Sequence, residues 1–303
     1  MIKNPVLHCC YNRINYVKKT LPKLKSLKIK KLYISIDGPK DNKRDKLKCE
    51  KIVSYVKSLS FDFPVRYKIR KKNLGCKYGI ASAIDWFFEN EEQGLIIEDD
   101  IICSEDFVKF CDLMLKKYKK NKNIMMVGGT NYNKFKNFSS KFFFSKHFLV
   151  WGWATWKSKW KNYDVEMLKW NNEKIRKKIK KKHSHDEYLF LENRFNELHN
   201  NYKDTWDIQW YFTCILNNGY SIIPETNLIT NIGIKGTHSD ELYDTLFLKR
   251  GKIDFKNISF PKKINRSYEY DRLIYGIFKP ETKLKKIIKK IIFWKIIKKF
   301  FKN

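Results

Sequence analysis

Short apolar runs alternate with segments of helical periodicity over the first 128 residues, and this alternation most constrains the fold. The apolar runs predict strands at 5–11, 32–36, 65–69, 94–97 and 124–127. The periodic segments between them predict helices at 15–27, 46–59, 78–89 and 104–118, with Leu47 among the inward positions of the second helix. Buried strands joined by helices favour an α/β fold whose mixed, mostly parallel sheet carries helices on both faces.

Composition limits the class of protein further. The 303 residues are 43% hydrophobic, which excludes a disordered chain, and the formal net charge is +32. Such a charge suggests an anionic partner, although the codon bias of an AT-rich genome explains a diffuse excess of lysine equally well. The seven scattered cysteines contain no C-x-x-C pair and predict reduced, mostly buried thiols. The sequence shows neither a signal-peptide pattern nor an apolar run long enough to span a membrane, so a cytoplasmic protein is expected.

Polar residues follow three of the predicted strands at the point where each strand ends. They are Asn12-Arg13, Asp37-Gly38 and the triplet Glu98-Asp99-Asp100. Because ligands of open parallel sheets bind at the carboxyl ends of the strands, these side chains are expected to converge on one edge. Three adjacent carboxylates repel one another unless a cation is present, so the triplet predicts a divalent metal that also binds phosphate oxygens. The alternatives are a solvated acidic turn at 98–100 and an ordinary Asp-Gly turn at 37–38.

The second half contains three further candidates. Asp207 lies in T-W-D-I-Q-W and is either a general base in an aromatic setting or a helix-surface acid. His238, in G-T-H-S, is a metal or phosphate ligand or an ordinary loop histidine. The W-G-W-A-T-W run that contains Trp153 is either core or the wall of a ligand loop. A basic helical stretch is predicted at 174–185 and a further helix at 204–217.

The last segment differs from the rest of the chain. Residues 284–303 hold eight lysines and no acid, with large apolar residues at helical spacing. Such a helix predicts peripheral attachment to the anionic inner leaflet, and packing on the protein's own surface is the alternative. The expected domains are therefore a unit at 1–280, with halves 1–130 and 131–280, and a basic amphipathic helix at 281–303.

Taken together these motifs resemble GT-A-type nucleotide-sugar glycosyltransferases with a Rossmann-like sheet. The chain is similar to the inverting N-acetylglucosaminyltransferase I family and to bacterial family 2-like sugar transferases over about residues 4–240. The resemblance rests on the strand ends named above, on the Asn73-Leu74-Gly75 loop, on L-I-I-E-D-D-I followed by S-E-D-F, and on the two tryptophan motifs and a late G-x-x-G-x-H. The triplet departs from the spaced D-x-D of many relatives.

The resemblance implies a role for each candidate. Asp100 would bind the metal, Mn²⁺ or Mg²⁺, with His238 as a further ligand, and Asp207 would act as the catalytic base. The donor would contact six residues, namely Asn12, Arg13, Asp37, Asn73, Glu98 and Asp99. The acceptor would contact Trp153 and Trp206.

The expected function is transfer of a sugar, a hexose or N-acetylhexosamine, from a nucleoside-diphosphate donor to a hydroxyl of a glycan or lipid-linked oligosaccharide. The reaction is expected to invert the anomeric carbon and to serve the synthesis of cell-surface polysaccharide. A nucleotidyltransferase on a related sheet is an alternative, although it usually needs a glycine-rich loop that 5–13 lacks. A second alternative is a basic nucleic-acid-binding protein. The sequence contains no known nucleic-acid-recognition motif, so no nucleic-acid partner is expected. A non-catalytic sugar-binding relative is the third.

Overall fold

The structure is a computed structural model, and it describes residues 4–27, 29–132, 140–200, 202–233 and 249–279. The strands are β1 Val6–Cys10, β2 Leu32–Ile36, β3 Val65–Ile69, β4 Gln93–Glu98, β5 Ile101–Cys103, β6 Ile124–Gly128, β7 Phe142–Ser145, β8 Trp153–Trp156, β9 Tyr220–Pro224 and β10 Ile229–Asn231. The helices are α1 Ile14–Ser26, α2 Lys43–Ser58, α3 Gly75–Asn90, α4 Glu105–Tyr118, α5 Lys157–Trp160, α6 Glu173–Lys180, α7 His185–His199, α8 Asp207–Leu216 and α9 Tyr268–Phe278. Single 3₁₀ turns lie at Leu168–Asn171 and Phe255–Asn257.

Eight strands form one sheet in the order β3-β2-β1-β4-β8-β6-β9-β7. β1, β2, β3 and β4 are mutually parallel, and β8 runs antiparallel to both β4 and β6. β9 is parallel to β6, and β7 is antiparallel to β9. Six strands therefore point one way and two the other, which confirms the predicted mixed, mostly parallel sheet. β5 and β10 form a separate antiparallel ribbon directly after β4.

Successive residues of the central strands pack on opposite faces of the sheet. Val6 contributes to a core formed with α1, α2 and α4, whereas Leu7 contributes to a second core formed with α3, α8 and the tryptophans around Trp153. This alternation follows from the two-residue period of a strand. Helices therefore cover both faces, as predicted.

Local signals in the sequence explain where two of the helices begin. Ser104 accepts a hydrogen bond from the Phe107 amide and caps α4, and Asn42 caps α2 in the same way. The prediction that Leu47 faces inward is wrong, because Leu47 is 50% exposed. α2 instead buries Cys49, Ile52 and Val56, which lie on the opposite side of the helix.

Three further predictions concern membrane-spanning helices, two features near the end of the chain, and the cysteines. No helix among the described residues is long and apolar enough to cross a membrane. The predicted amphipathic helix at 281–303 lies outside the described residues, as does His238. All seven cysteines are free thiols, and six of them are buried.

Candidate functional site

The loop after β1 is held in place by one buried carboxylate. Asp45 accepts hydrogen bonds from the Tyr11 hydroxyl (2.5 Å), the Asn12 side-chain amide (2.6 Å) and the Lys40 backbone amide (2.7 Å). Asp45 is 7% exposed, so the loop is fixed against the start of α2. The Asn12 amide group is thus engaged by the protein, and the next residue, Arg13, projects to the end of β4.

Arg13 pairs with two of the three carboxylates that follow β4. Its Nη1 lies 2.9 Å from Asp100 Oδ2, and its Nε lies 3.3 Å from Asp99 Oδ2, with a further hydrogen bond from Nη2 to Asp99. The Arg13 side chain is 38% exposed, against 4% for Asp99 and 15% for Asp100. The predicted convergence of the ends of β1 and β4 is therefore present, with a guanidinium between the acids.

The triplet holds more negative charge than Arg13 neutralises. Burial raises the pKa of Asp99 to about 6, even though Arg13 acts in the opposite direction. Burial, followed by the charges of Asp100 and Asp99, raises the pKa of Glu98 to about 8. No hydrogen-bond donor within the described part of the chain reaches the Glu98 carboxylate. The end of β4 is thus a place where added positive charge would be stabilised.

The chain after β10 passes directly beside Asp100. Ile232 donates a backbone hydrogen bond of 2.8 Å to the Asp100 carbonyl oxygen. A Cβ atom added to Gly233 would lie 2.3 Å from Asp100 Oδ2, so this position has no room for a side chain. The chain after β10 therefore holds the acidic turn in place together with Arg13.

Asp37 and Asn73, predicted separately as donor contacts, meet at the end of β2. The Asn73 side-chain amide donates to Asp37 Oδ2 at 2.9 Å and to the Gly38 carbonyl at 3.0 Å. The Leu74 amide also donates to Asp37, at 3.1 Å. Burial raises the pKa of Asp37. The pair joins the loop after β2 to the entry of α3.

Asp207 is the first residue of α8 and lies within electrostatic range of the triplet. Its Oδ1 accepts a hydrogen bond from the Thr205 hydroxyl. Burial is the main cause of the raised Glu98 pKa, and Asp207 is among the charges that add to it, after Asp100 and Asp99. The candidate base and the acidic triplet are therefore neighbours in space, although more than 100 residues separate them in the sequence.

Asp204, which lies three residues before Asp207 and contacts the start of α3, was not singled out from the sequence. Its two carboxylate oxygens accept hydrogen bonds from the amides of Cys76 (2.9 Å) and Lys77 (2.7 Å) in the first turn of α3. Gly75 has φ +75°, and a Cβ there would lie 2.6 Å from Asp204 Oδ2. The available signal was that Leu74, just before the helix, has no side chain able to cap it.

Trp153 and Trp206, predicted to contact the acceptor, lie beneath the site. Their residues are 0% and 2% exposed, and their rings stack on each other with centroids 5.6 Å apart. Trp160 and Trp210 pack around them. The four indoles form the floor on which α8 and Asp207 rest, and contact of Trp153 or Trp206 with an acceptor stays a prediction.

The side chains at the end of β4 could supply only some of the ligands that Mg²⁺ or Mn²⁺ requires. No group of three histidine, cysteine, aspartate or glutamate side chains in the described ranges is arranged to hold a metal. Mg²⁺, however, is usually bound by one or two carboxylates together with the phosphates of a substrate. Asp100 is a partly exposed carboxylate beside an excess of negative charge, and this fits such a shared site.

Comparisons with known proteins give limited likeness. No family model and no curated protein matches the sequence. HddC from Yersinia pseudotuberculosis aligns at 13% identity and a TM-score of 0.32, over 51% of this chain and 77% of that one. TarS 1–349 from S. aureus aligns at 11% identity and a TM-score of 0.38, over 55% of this chain and 51% of that one.

The TarS 1–349 structure in complex with UDP aligns at 12% identity and a TM-score of 0.32. That alignment covers 46% of this chain and 38% of the TarS chain, so the chain spans about half or less of the TarS structures it matches. Values of this size establish no family membership.

Proposed function

We propose that the chain is a metal-dependent, inverting glycosyltransferase that moves a sugar from a nucleoside-diphosphate donor to a hydroxyl of a glycan or lipid-linked acceptor. One observation carries the proposal. Carboxylates from three separate segments, at Asp37, 98–100 and Asp207, lie at the carboxyl edge of the parallel strands together with Arg13. Ligands of open α/β sheets bind at this edge.

Donor recognition follows from the ends of β1, β2 and β4. Asp37, which Asn73 orients, accepts hydrogen bonds from the ribose or base. Arg13 offers a guanidinium to the diphosphate, and Asn12 supports Arg13 through the loop that Asp45 fixes. Glu98 and Asp99 accept hydrogen bonds from hydroxyls of the donor.

Asp100 would hold a divalent cation, and His238 stays a predicted further ligand. When bound, the cation neutralises the charge that develops on the departing diphosphate. The raised pKa of Glu98 supports this assignment, because a nearby cation would favour the charged form of Glu98 and offset the repulsion from Asp100 and Asp99.

Asp207 accepts the proton of the acceptor hydroxyl. The hydroxyl oxygen forms a bond to the anomeric carbon, the bond from that carbon to the diphosphate oxygen breaks, and the nucleoside diphosphate leaves. Because the Thr205 hydroxyl binds Oδ1, Oδ2 is the oxygen left to receive the proton. The tryptophan floor under α8 keeps Asp207 in position.

The first test separates the base from the metal ligand. Asp207→Asn is expected to lower transfer by about 10²–10⁴-fold, because general-base help is lost, while donor binding persists. Asp100→Ala is expected to remove the metal-dependent part of donor binding. Thermal shifts with nucleotide sugars, with and without Mn²⁺, Mg²⁺ or chelator, measure binding, and release of nucleoside diphosphate measures transfer.

Asp62→Asn is the matched control, because Asp62 is an exposed acid in the loop before β3. Wild-type turnover in Asp207→Asn contradicts the base, and binding to Asp100→Ala that responds to chelator as the wild type does contradicts the metal ligand. Release of pyrophosphate from a nucleoside triphosphate and a sugar phosphate would identify the nucleotidyltransferase alternative instead.

A cytoplasmic location and attachment to the inner leaflet through 281–303 stay predictions, as do the identity of the acceptor and the polysaccharide pathway.

A further inference from the structure

A cavity of about 210 Å³ lies between α3 and the segment that follows α5. α3 contributes Tyr78, Ser82 and Asp85, which are four and three residues apart and therefore share one face of the helix. The opposite wall comes from Trp160, Tyr163 and Val165, and Lys161 also lines the opening. The cavity is separate from the triplet and from Asp37.

The aromatic wall of this cavity is rigid. Trp160 is 3% exposed, and its Nε1 donates a hydrogen bond of 2.7 Å to Asp85 Oδ1. The Tyr163 ring stacks on Trp160 with centroids 4.2 Å apart and planes at 14°. Tyr78, by contrast, is 46% exposed, and its ring stands at the rim of the cavity.

One carboxylate oxygen in the cavity is left without a donor. Asp85 Oδ1 binds the indole, whereas Oδ2 accepts no hydrogen bond from any residue in the described part of the chain. Asp85 is exposed, so this oxygen is open to a ligand hydroxyl. The Tyr78 hydroxyl binds Glu166, which fixes the ring at the rim.

The cavity adjoins the proposed base. The Tyr163 hydroxyl donates a hydrogen bond of 3.0 Å to the Trp206 carbonyl oxygen, one residue before Asp207. Burial raises the pKa of Tyr163, and the charges of Asp207 and Asp85 add to the rise in that order. Tyr163 therefore connects the wall of the cavity to the residue that precedes α8, within electrostatic range of both acids.

We propose that this cavity is the subsite for one sugar ring of the acceptor, an inference that rests on the proposed function. Its volume is below the roughly 300–1,000 Å³ of pockets that hold drug-sized ligands, so it admits about one ring. Aromatic rings match the apolar face of a sugar, and Asp85 Oδ2 accepts from its hydroxyls. A ring seated here would lie against Tyr163, whose hydroxyl binds the backbone one residue before Asp207. The Asp85 charge disfavours a phosphate in the same place.

Ligand-observed NMR by saturation transfer tests the subsite directly. The probes are the methyl glycosides of glucose, galactose, mannose, N-acetylglucosamine and N-acetylgalactosamine, each added to the full chain without nucleotide. At least one glycoside is expected to bind the wild type. Asp85→Asn, which keeps an oxygen for the Trp160 indole but removes the charge, is expected to weaken that binding about tenfold. Val165→Phe, which fills the cavity, is expected to abolish it.

Glu89→Gln is the matched control, since Glu89 is an exposed acid one turn further along α3 and does not line the cavity. It should bind like the wild type. If no glycoside binds the wild type, or if all variants bind equally, the subsite is wrong.

Nucleotide-sugar hydrolysis by the wild type is measured separately and tests the proposed function. If the wild type hydrolyses a nucleotide sugar but neither Asp85→Asn nor Val165→Phe changes glycoside binding, the subsite is rejected and the proposed function is retained. Glycoside binding that both variants weaken, in a chain that neither binds nor hydrolyses any nucleotide sugar, rejects the transferase and retains a sugar-binding cavity.

Discussion

At the scale of single residues, Arg13 determines the charge balance of the site. It pairs with Asp99 and Asp100, while Glu98 has no paired cation and its pKa rises to about 8 through burial and the neighbouring acids. A buried carboxylate that loses its partner is strongly destabilising, because its desolvation is no longer compensated. Asp99, at 4% exposed, is the carboxylate most dependent on Arg13.

Arg13→Met is therefore expected to lower the free energy of unfolding by about 1–3 kcal/mol at pH 7. The range is below that of a fully buried pair because the guanidinium is 38% exposed and solvent screens it. Asp99→Asn in the same chain should recover part of the loss, since the more buried of the two carboxylates that Arg13 pairs with is then neutral, while the partly exposed Asp100 still lacks its partner. Urea unfolding of both single variants and the double variant measures the coupling, and strictly additive losses would contradict it.

Single residues also mark the limits of sequence reasoning. Arg13, Asp37, Asp100 and Asp207 can be proposed from the sequence because strand ends converge and because their motifs are distinctive, and their roles stay predictions. Asp204 was missed because its partners, the first amides of α3, are 128 residues away along the chain and no local pattern joins them. The burial of Trp153 under α8 was one of two alternatives that its motif left open.

At the scale of secondary-structure elements, α3 connects the parts of the site. Its first turn is capped by Asp204, and Gly79 lies close enough to Asp37 that a Cβ would be 3.1 Å from its carboxylate. Its outer face lines the cavity of Tyr78 and Asp85. The start of α3, the Asp37 carboxylate and the cavity are therefore all in contact with one helix.

Asp204→Ala is expected to loosen the first turn of α3, since the Cys76 and Lys77 amides lose their acceptor. The expected loss of stability is about 0.5–1 kcal/mol, at the low end for a cap because Asp204 is exposed. Hydrogen exchange should quicken in peptides that cover 75–78. Ser104→Ala, which removes the cap of α4, is the control and should affect only α4. Unchanged exchange at 75–78 in Asp204→Ala would show that the cap contributes nothing.

The elements differ in how far the sequence predicts them. β2 and β3 were predicted to the residue, and α1 and α4 to within one or two, because each carries its own periodic pattern and α4 also has the Ser104 cap. The basic stretch predicted at 174–185 ends at Lys180, and α7 begins at a capping box formed by Ser184 and Glu187, a readable signal that was overlooked. β7 and β8 were not predicted, because their aromatic run has no period of its own and they pair with distant strands.

At the scale of the whole molecule, buried histidines govern the response to acid. Burial lowers the pKa of His8 from 6.5 to about 3, and burial followed by the charge of Lys146 lowers that of His147 to about 3. Below pH 6.5 the unfolded chain binds protons that the folded chain does not. Each histidine therefore lowers the free energy of unfolding by about 1.4 kcal/mol per pH unit as the pH falls from 6.5 toward 3.

His8→Gln isolates one of these contributions from the opposing effect of Glu98 and Asp99. The variant is expected to be less stable than the wild type at pH 7, and the difference should narrow by about 2 kcal/mol at pH 5. Denaturant unfolding at both pH values measures it. The exposed His185 of α7 supplies the control, and a His185→Gln chain should follow the wild type throughout. A constant difference between His8→Gln and the wild type would contradict the prediction.

The sheet topology was predictable where it follows from the order of strands and helices along the chain. Alternating strands and helices imply that β1, β2, β3 and β4 are parallel and that their polar ends converge, although they do not give the order of these strands. The order β8-β6-β9-β7 was not predictable, because long-range pairing decides it and the antiparallel β8 lies between β4 and β6.

The location of β8 also determines how this protein has to be produced in the laboratory. A recombinant piece that stops near residue 130 would lack β8, one of the two partners of β4, and the unpaired edge of β4 would favour aggregation. Both segments therefore need to be synthesised on one polypeptide or expressed together in the same cell.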